Sequence, residues 1–335
     1  MDEPVKYPRP ATIFAAICAI IFCIVGVFGN TVTIIALIRC PKLRLHATTF
    51  FVLSLSISDL LFCLINLPLM ADRYIHQEWR MGDALCKVFP VILYGNVALS
   101  LLNMVAITVN RYIIISYYEY YSKLYSKLSI WIQLFAIWSV AFLIMLPPSL
   151  GIWGELGLNK STFSCTINKK DGKSPKQFIF LVGFVIPCLV IIVSYTCIYL
   201  KVRQSNNNLK SHRSNPKERS SKRERDDRRL TKLMLLIFAC FLFCFLPLMC
   251  VNVFDDDTTI PTLHVCASIL AWASSVVNPI IYVASNKQYR LAYAKLFNVV
   301  KSTITVSDSR QLSNSCPRTT RNATTHNLTQ GYTKV

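Results

Sequence analysis

Long apolar runs separated by short polar segments dominate the chain. A helix needs about 20 apolar residues to cross a bilayer, and seven runs reach roughly that length. They cover residues 12–38, 48–71, 84–115, 128–150, 177–200, 230–253 and 262–283. A water-soluble helix would show a polar stripe, and residues 14–37 and 233–249 show almost none. The pattern predicts an all-α membrane protein built as a seven-transmembrane helix bundle.

The segments outside the runs differ in composition. Residues 204–229 are rich in Ser, Asn, Lys and Arg without apolar periodicity, whereas apolar residues after 283 recur at helical spacing. The first pattern is typical of a mobile loop, and the second of a helix lying on the membrane surface. The predicted order is an N-terminal segment over 1–11, the bundle over 12–283 with a mobile loop at 204–229, an amphipathic helix over 284–300 and a disordered tail over 301–335.

Charge sets the expected orientation. Charged residues make up 16% of the chain, and the formal net charge is +19. Residues 201–229 hold eleven Lys and Arg residues against four acids. Basic loops stay on the cytoplasmic side, so we expect an extracellular N-terminus and a cytoplasmic C-terminus. Beside two spans, the basic loop suits anionic membrane lipids better than nucleic acid.

Polar residues inside apolar spans are functional candidates. Asp59 is the only acid deep in a span, and Asn96 with Ser100, and Ser274 with Asn278, each share one helix face. If these faces meet Asp59, their oxygens could hold a small hard cation such as sodium. The alternative is a polar network that only packs the bundle.

Three functional classes remain to be weighed. A transporter needs a polar path through the membrane, yet Asp59 stands almost alone and no internal repeat is visible. An enzyme needs a phosphate loop, a zinc-binding spacing or a nucleophile with its base, and none is found. Prolines within or near the ends of five spans favour kinked helices that change shape, which suits a receptor.

Sequence motifs carry a specific family resemblance. They are GN at 29–30, LSLSISDLL around Asp59, Trp79 with Gly82 and Cys86, NRY at 110–112, Trp138, Cys165, Pro187 with Tyr195, CFLP at 244–247 and NPIIY at 278–282. In this order the chain resembles the rhodopsin-class (class A) G-protein-coupled receptors. NRY with NPIIY is most similar to insect orphan receptors of the trapped-in-endoderm and moody type. That resemblance implies a role in directed cell migration or in barrier epithelia.

The resemblance implies roles for individual residues. A Cys86–Cys165 disulfide is expected outside the membrane, and the sodium pocket would comprise Asp59, Asn96, Ser100, Ser274 and Asn278. The activation switch that meets a heterotrimeric G protein would comprise Arg111, Asn110, Tyr112, Tyr195, Asp227, Phe245, Pro247, Asn278, Pro279 and Tyr282.

Two departures from the family pattern change this expectation. Asn110 replaces the acid that usually precedes the arginine, and Phe245 replaces a tryptophan. We therefore expect Arg111 to pair with Asp227 in the resting state, with raised basal signalling.

The expected ligand is neither an amine nor retinal, because Leu93 and Trp272 stand where amine receptors carry Asp and opsins carry Lys. The outer half of the spans is apolar with few polar groups, which suits a lipid-like ligand, and Arg73 and Arg80 could hold an anionic head group. A peptide ligand or constitutive activity is the alternative. The predicted pocket residues are Leu93, Tyr94, Gln177, Asn252, His264 and Trp272.

Further sites are predicted outside the bundle. Asn159 begins a glycosylation sequon. Thirteen Ser and Thr residues between 302 and 333 suit phosphorylation and an arrestin-type partner. The final residues, Thr333 to Val335, resemble a PDZ ligand. The expected location is the plasma membrane.

Overall fold

The computed structural model describes residues 7–41, 46–160, 162–211, 218–254, 259–285 and 287–304. Within these ranges, the side chains of 205–211, 218–228, 253–254, 288 and 297–304 are outside the description. The predicted phosphorylation sites beyond 304 and the PDZ motif at Thr333 to Val335 therefore lie outside the described residues. Ser161 of the sequon does so as well.

Seven helical segments form the bundle. The first three spans are α1 (Arg9–Arg39), α2 (Ala47–Leu61) with its continuation through a π-helical turn (Phe62–Asn66) into α3 (Leu67–His76), and α4 (Gly82–Ser116). The fourth span is α6 (Lys127–Leu143), which the short α5 (Tyr118–Leu124) precedes, and the fifth is α8 (Lys176–Phe180) with its continuation through a second π turn (Leu181–Val185) into α9 (Ile186–Ser211). The sixth and seventh spans are α10 (Glu218–Phe254) and α11 (Pro261–Ser285). The short α7 (Leu146–Ser149) follows α6, and α12 (Lys287–Ile304) follows the last span. Six described spans are long and apolar enough to cross a membrane, and α5 with α6, bent by 75°, brings the number to seven.

Helix ends differ from the sequence prediction in three places, one of which is α12, which continues to Ile304 although the disordered tail was predicted to begin at 301. The predicted loop at 204–229 is helical at both ends, because α9 continues to Ser211 and α10 begins at Glu218. Lys, Arg, Glu and Gln are strong helix formers, so helices need not stop where the apolar run stops. The fourth run was predicted to reach 150, yet α6 ends at Leu143, shortly before Pro147 and Pro148. Proline cannot donate the hydrogen bond that would continue the helix.

Each π turn lies just before a proline. The turn that ends at Asn66 precedes Pro68, and the turn that ends at Val185 precedes Pro187. A proline ring clashes with the carbonyl four residues earlier and removes one hydrogen bond, and the wider π geometry accommodates this defect. Each turn also changes the rotation of the span beyond it, which decides the side chains that face the bundle.

Apolar side chains cover the outside of the bundle. Phe14 is 57% exposed, Ile24 66% and Phe135 75%, whereas Asp59 and Arg111 are almost fully buried. A water-soluble protein would show the opposite distribution. The surface is therefore that of a protein whose surroundings are lipid.

A β-hairpin covers one end of the bundle. β1 (Glu155–Asn159) pairs antiparallel with β2 (Ser164–Asn168), and Leu158 lies opposite Cys165. Cys165 is bonded to Cys86 at the start of α4 with an S–S distance of 2.02 Å, which confirms the expected bridge. We call this the hairpin end, and the opposite end, which holds Arg111, the arginine end.

Candidate functional site

A cavity of about 500 Å³ opens beneath the hairpin. Its walls contain every residue predicted for the ligand pocket: Leu93, Tyr94, Gln177, Asn252, His264 and Trp272. Phe245 of α10 also lines it. The volume lies within the range of about 300–1,000 Å³ that is usual for small-molecule sites.

The cover of the cavity includes residues that sequence reasoning missed. Tyr7, which precedes α1, is buried and packs edge-on against Phe163 of the hairpin turn with ring centroids 4.8 Å apart. Tyr94 hydrogen-bonds Thr166 of β2 at 2.9 Å between the hydroxyl oxygens. Loop contacts of this kind leave no periodic signal, and only the disulfide cysteines indicated that a loop would lie here.

Arg73 lies in the cavity wall and is only 6% exposed. Its Nη1 donates to the Thr162 carbonyl at 3.3 Å, and its guanidinium carbon lies 4.4 Å from the Tyr74 ring centroid and 5.7 Å from that of Phe163. Arg80 was expected to act with it. Arg80 is instead exposed, lies outside the cavity wall and contacts Glu78 at 3.5 Å.

The inner part of the cavity reaches an aromatic cluster. The Phe245 ring packs at a tilt against Phe241 with centroids 4.5 Å apart, and the Phe241 centroid lies 6.4 Å from that of Phe184 in the fifth span. Pro247 lies inside α10 only two residues beyond Phe245. A ligand in the cavity would therefore touch the sixth span beside its kink-forming residue.

Asp59 lies in the centre of the bundle and is 2% exposed. Its Oδ2 accepts a hydrogen bond from Asn278 Nδ2 at 2.7 Å, and its Oδ1 accepts from the Ser100 hydroxyl at 3.4 Å. Ser275 also hydrogen-bonds the carboxylate. The predicted meeting of the second, third and seventh spans at this acid is what the structure shows.

Two members of the predicted sodium pocket have other partners. The Ser274 hydroxyl donates to its own helix, to the Ala271 carbonyl at 2.7 Å, and the adjacent Ser275 contacts the acid instead. Asn96 Oδ1 accepts from Ser58 at 3.4 Å, so it reaches Asp59 only through its neighbours. Asn30 sets the position of Ser275 by donating to the Ser275 carbonyl at 2.9 Å.

The donor set at Asp59 fits a small hard cation. Carboxylate and hydroxyl oxygens of Asp59, Ser100 and Ser275 lie together, and such ions prefer oxygen ligands. The described residues contain no cluster of three or more His, Cys, Asp or Glu side chains. One carboxylate with neutral oxygens is therefore the kind of ligand set that this centre offers.

Arg111, 1% exposed, is hydrogen-bonded at the arginine end. Its Nη2 donates to the Thr48 hydroxyl, and that hydroxyl donates to Asn110 Oδ1 at 2.6 Å. A threonine has a single O–H and spare lone pairs, so Thr48 can serve both neighbours at once. We call this chain of Arg111, Thr48 and Asn110 the threonine relay.

Tyrosines surround the relay. Tyr125, in the turn between α5 and α6, hydrogen-bonds Asn110, and burial raises the pKa of Tyr125 to about 12. Burial also raises the pKa of Tyr289 in α12 far above its usual range, although the nearby Arg111 charge opposes this rise. Tyr289 stacks on Tyr282 with centroids 5.1 Å apart, so α12 is packed against the arginine end.

Four other predicted switch residues lie in different surroundings. Tyr195 and Tyr282 are buried in the core beside Arg111 or Asp59. Tyr112 is half-buried and packs edge-on against Tyr117. Asp227 belongs to α10, but its side chain lies outside the described residues. The Arg111–Asp227 contact therefore stays a prediction.

Comparison with known proteins decides the family. The family model "7 transmembrane receptor (rhodopsin family)" matches residues 29–282. The chain belongs to this family. It is 52% identical over 324 residues to Protein trapped in endoderm-1 of Drosophila melanogaster, covering 90% of this chain and 83% of the relative. It is 34% identical over 338 residues to the G-protein coupled receptor moody of the same species, covering 84% of this chain and 50% of the relative.

A solved structure supports the same assignment. Squid rhodopsin matches with a TM-score of 0.78 and 25% identity, covering 92% of this chain and 91% of that chain. The protein is thus a class A G-protein-coupled receptor of the insect type, spans the membrane several times and belongs to a class of receptors rather than enzymes. Within this rhodopsin-family receptor, the relay places a neutral amide where the family usually has an acid.

Proposed function

We propose that this receptor binds an apolar or amphipathic ligand in the cavity and passes the signal to a heterotrimeric G protein at the arginine end. The observation that carries the proposal is the position of Phe245, which lines the cavity and packs against Phe241 in the same span. Side chains packed this closely have few alternative arrangements. A ligand that moves Phe245 therefore moves α10 about Pro247.

The proposed orientation places the hairpin end outside the cell. The Cys86–Cys165 disulfide supports this orientation, because such bonds persist in oxidising surroundings. Asn159 would then be accessible for glycosylation. The basic residues at 201–229 and the tail, with its proposed arrestin-type and PDZ partners, would face the cytoplasm.

We assign two regulatory features to the bundle. The Asp59 centre takes sodium in the resting receptor, since its oxygens gather at one carboxylate between three spans. The threonine relay replaces part of the usual acidic lock on Arg111, with Asp227 as the proposed second contact. Asn110 accepts a hydrogen bond but does not neutralise the guanidinium, so the resting state is held less firmly and basal activity is raised.

A role in directed cell migration or in epithelial barriers is proposed from the relatives. Similarity to Protein trapped in endoderm-1 over most of both chains supports the first role. Similarity to moody supports the second more weakly, because only half of that protein is matched.

Nucleotide exchange by an added G protein tests the receptor function. Receptor reconstituted in lipid should accelerate GTP binding without ligand, and Arg111→Ala should abolish the acceleration. Arg80→Ala, at an exposed site at the hairpin end, is the matched control and should behave as wild type. Equal exchange by wild type and Arg111→Ala would refute the proposal.

A further inference from the structure

The charged side chains of the cavity wall have one sign. Among the described residues that line it, Arg73, Lys169 and Lys176 are basic, and none is Asp or Glu. Low-dielectric walls that carry one sign of charge concentrate ligands of the opposite sign. The charge of the described wall therefore favours an anionic ligand over a cationic one.

Arg73 has hydrogen-bonding capacity that the described residues leave unused. Its buried Nε has no hydrogen-bond partner among them, and the ion pairs in this part of the chain are His76–Asp72 and Arg80–Glu78. A guanidinium carries five N–H donors, and burying a charge is costly unless it is paired. The rings of Tyr74 and Phe163 hold the group in place without neutralising it.

We propose that the ligand is an acidic amphiphile whose carboxylate or phosphate pairs with Arg73. A planar guanidinium binds such groups through two parallel hydrogen bonds, and Nε is a donor that the described residues leave unpartnered. The inference rests on the proposed function, because it identifies the ligand class of the same cavity.

The rest of the cavity suits the apolar part of that molecule. Leu93, Val97, Phe184, Phe245, Leu248 and Trp272 line its wall. Phe245 packs against the aromatic cluster of the sixth span, so the apolar chain is the part that would reach the moving helix. The acidic head would fix the ligand beneath the hairpin, and the chain would carry the signal.

Direct binding tests the inference without a G protein. Purified full-length receptor in phosphatidylcholine nanodiscs would be titrated with four probes of equal chain length: dodecanoate, dodecyl phosphate, dodecanol and dodecyltrimethylammonium. Thermal unfolding and displacement of a fluorescent dodecanoate give two independent readouts. Inorganic phosphate and acetate are added separately, and they distinguish an amphiphile from a free anion.

The expected result is that both acidic probes bind at least tenfold more tightly than dodecanol, and that the cationic probe binds most weakly. Arg73→Gln should weaken acid binding by about tenfold to a hundredfold, the range for a hydrogen bond to a charged group. Arg73→Lys should restore part of it, and Arg80→Gln should equal wild type. If phosphate or acetate bound as tightly as the acidic amphiphiles, the proposal that the ligand is an amphiphile would be refuted.

Two further outcomes would overturn the inference. One is equal affinity for dodecanol and the acids in wild type, which stays measurable even if Arg73→Gln fails to fold. The other is acid binding that appears only in Asp2→Asn/Glu3→Gln, which would make an N-terminal acid the natural partner of Arg73. Acid binding without any exchange activity would instead uphold the inference and refute the receptor function.

Discussion

Two buried arginines lie at opposite ends of this receptor in different surroundings. Arg73 at the hairpin end faces a cavity, lies against two aromatic rings and donates one long hydrogen bond to a carbonyl. Arg111 at the arginine end is enclosed and bonded into the threonine relay. The same side chain thus borders a cavity at one end and is held by buried hydrogen bonds at the other.

The difference follows from the neighbouring elements. Thr48 begins the second span directly beside the third, so its hydroxyl fills the space between Arg111 and Asn110. Arg73 lies near the other end of the second span, beyond a π turn and beneath a loop. Packed helices leave few gaps, whereas the space between the hairpin and the helices is a cavity of about 500 Å³.

The largest expected effect separates the two arginines. Arg111→Ala should remove nucleotide exchange at every ligand concentration, because the G-protein contact is lost. Arg73→Ala should raise the ligand concentration for half-maximal exchange by about tenfold or more while the maximal response is retained. A lowered maximum in Arg73→Ala, with normal surface expression, would contradict this division.

Removal of the disulfide should weaken the hairpin end. The double substitution Cys86→Ser with Cys165→Ser opens the loop that the disulfide closes across 79 positions of the chain. Loss of such a disulfide lowers the free energy of unfolding by about 2–5 kcal/mol. The temperature of thermal unfolding and the potency of the ligand should both fall. Cys266→Ser, at an exposed free cysteine, is the matched control. Unchanged potency would show that the hairpin does not shape the cavity.

Loss of the relay hydroxyl should release the arginine end. Thr48→Val keeps the side-chain volume and removes the O–H that joins Arg111 to Asn110, so basal exchange should rise severalfold, since a lost hydrogen bond is worth about 1 kcal/mol. Thr196→Val is the control, because among the described residues that hydroxyl donates to the Ile192 carbonyl of its own helix. Equal basal exchange in both variants would show that the threonine relay does not restrain the resting receptor.

Restoring the usual acid should have the opposite sign. The carboxylate introduced by Asn110→Asp would accept the Thr48 hydrogen bond and attract the Arg111 guanidinium. Basal exchange should fall by about fivefold, because a bond to a charged group exceeds a neutral one by about 1 kcal/mol. Unchanged or higher basal activity would contradict the proposal.

The smallest effect is expected at the bundle centre. Sodium should lower basal exchange of wild type relative to equal concentrations of potassium, and Asp59→Asn should abolish that difference. Asp72→Asn, at a half-exposed acid paired with His76, is the control. Sodium sensitivity that persists in Asp59→Asn would place the ion elsewhere.

The sequence predicted the elements whose signal is local. The seven spans, the Cys86–Cys165 bridge and six residues of the cavity wall follow from apolar runs and from family motifs. The sequence predicts Ser274 beside Asp59, because it lies four residues before Asn278, whereas in the structure Ser275 contacts the acid. Sequence spacing does not show how a span is rotated about its axis. The hydrogen bond from Asn30 to the Ser275 carbonyl helps to set that rotation.

Contacts between distant segments gave no such signal. Thr48 and Asn110 are in contact although 62 positions separate them in the sequence. Tyr7 and Phe163 are in contact although the first four spans lie between them in the sequence. The helical ends of the 204–229 segment were missed for another reason, because apolar periodicity stops where lipid contact stops even though the helix continues.

Release of Arg111 from the threonine relay is expected to accompany separation of the third span (α4) from the sixth span (α10). Fluorescent labels introduced as unnatural amino acids at Tyr117 and Lys232, both exposed, report this separation directly. Nucleotide-free G protein should lengthen the distance in wild type, and still more readily in Thr48→Val, but not in Arg111→Ala. The same distance with and without G protein in wild type would show that the two spans do not separate when the G protein binds.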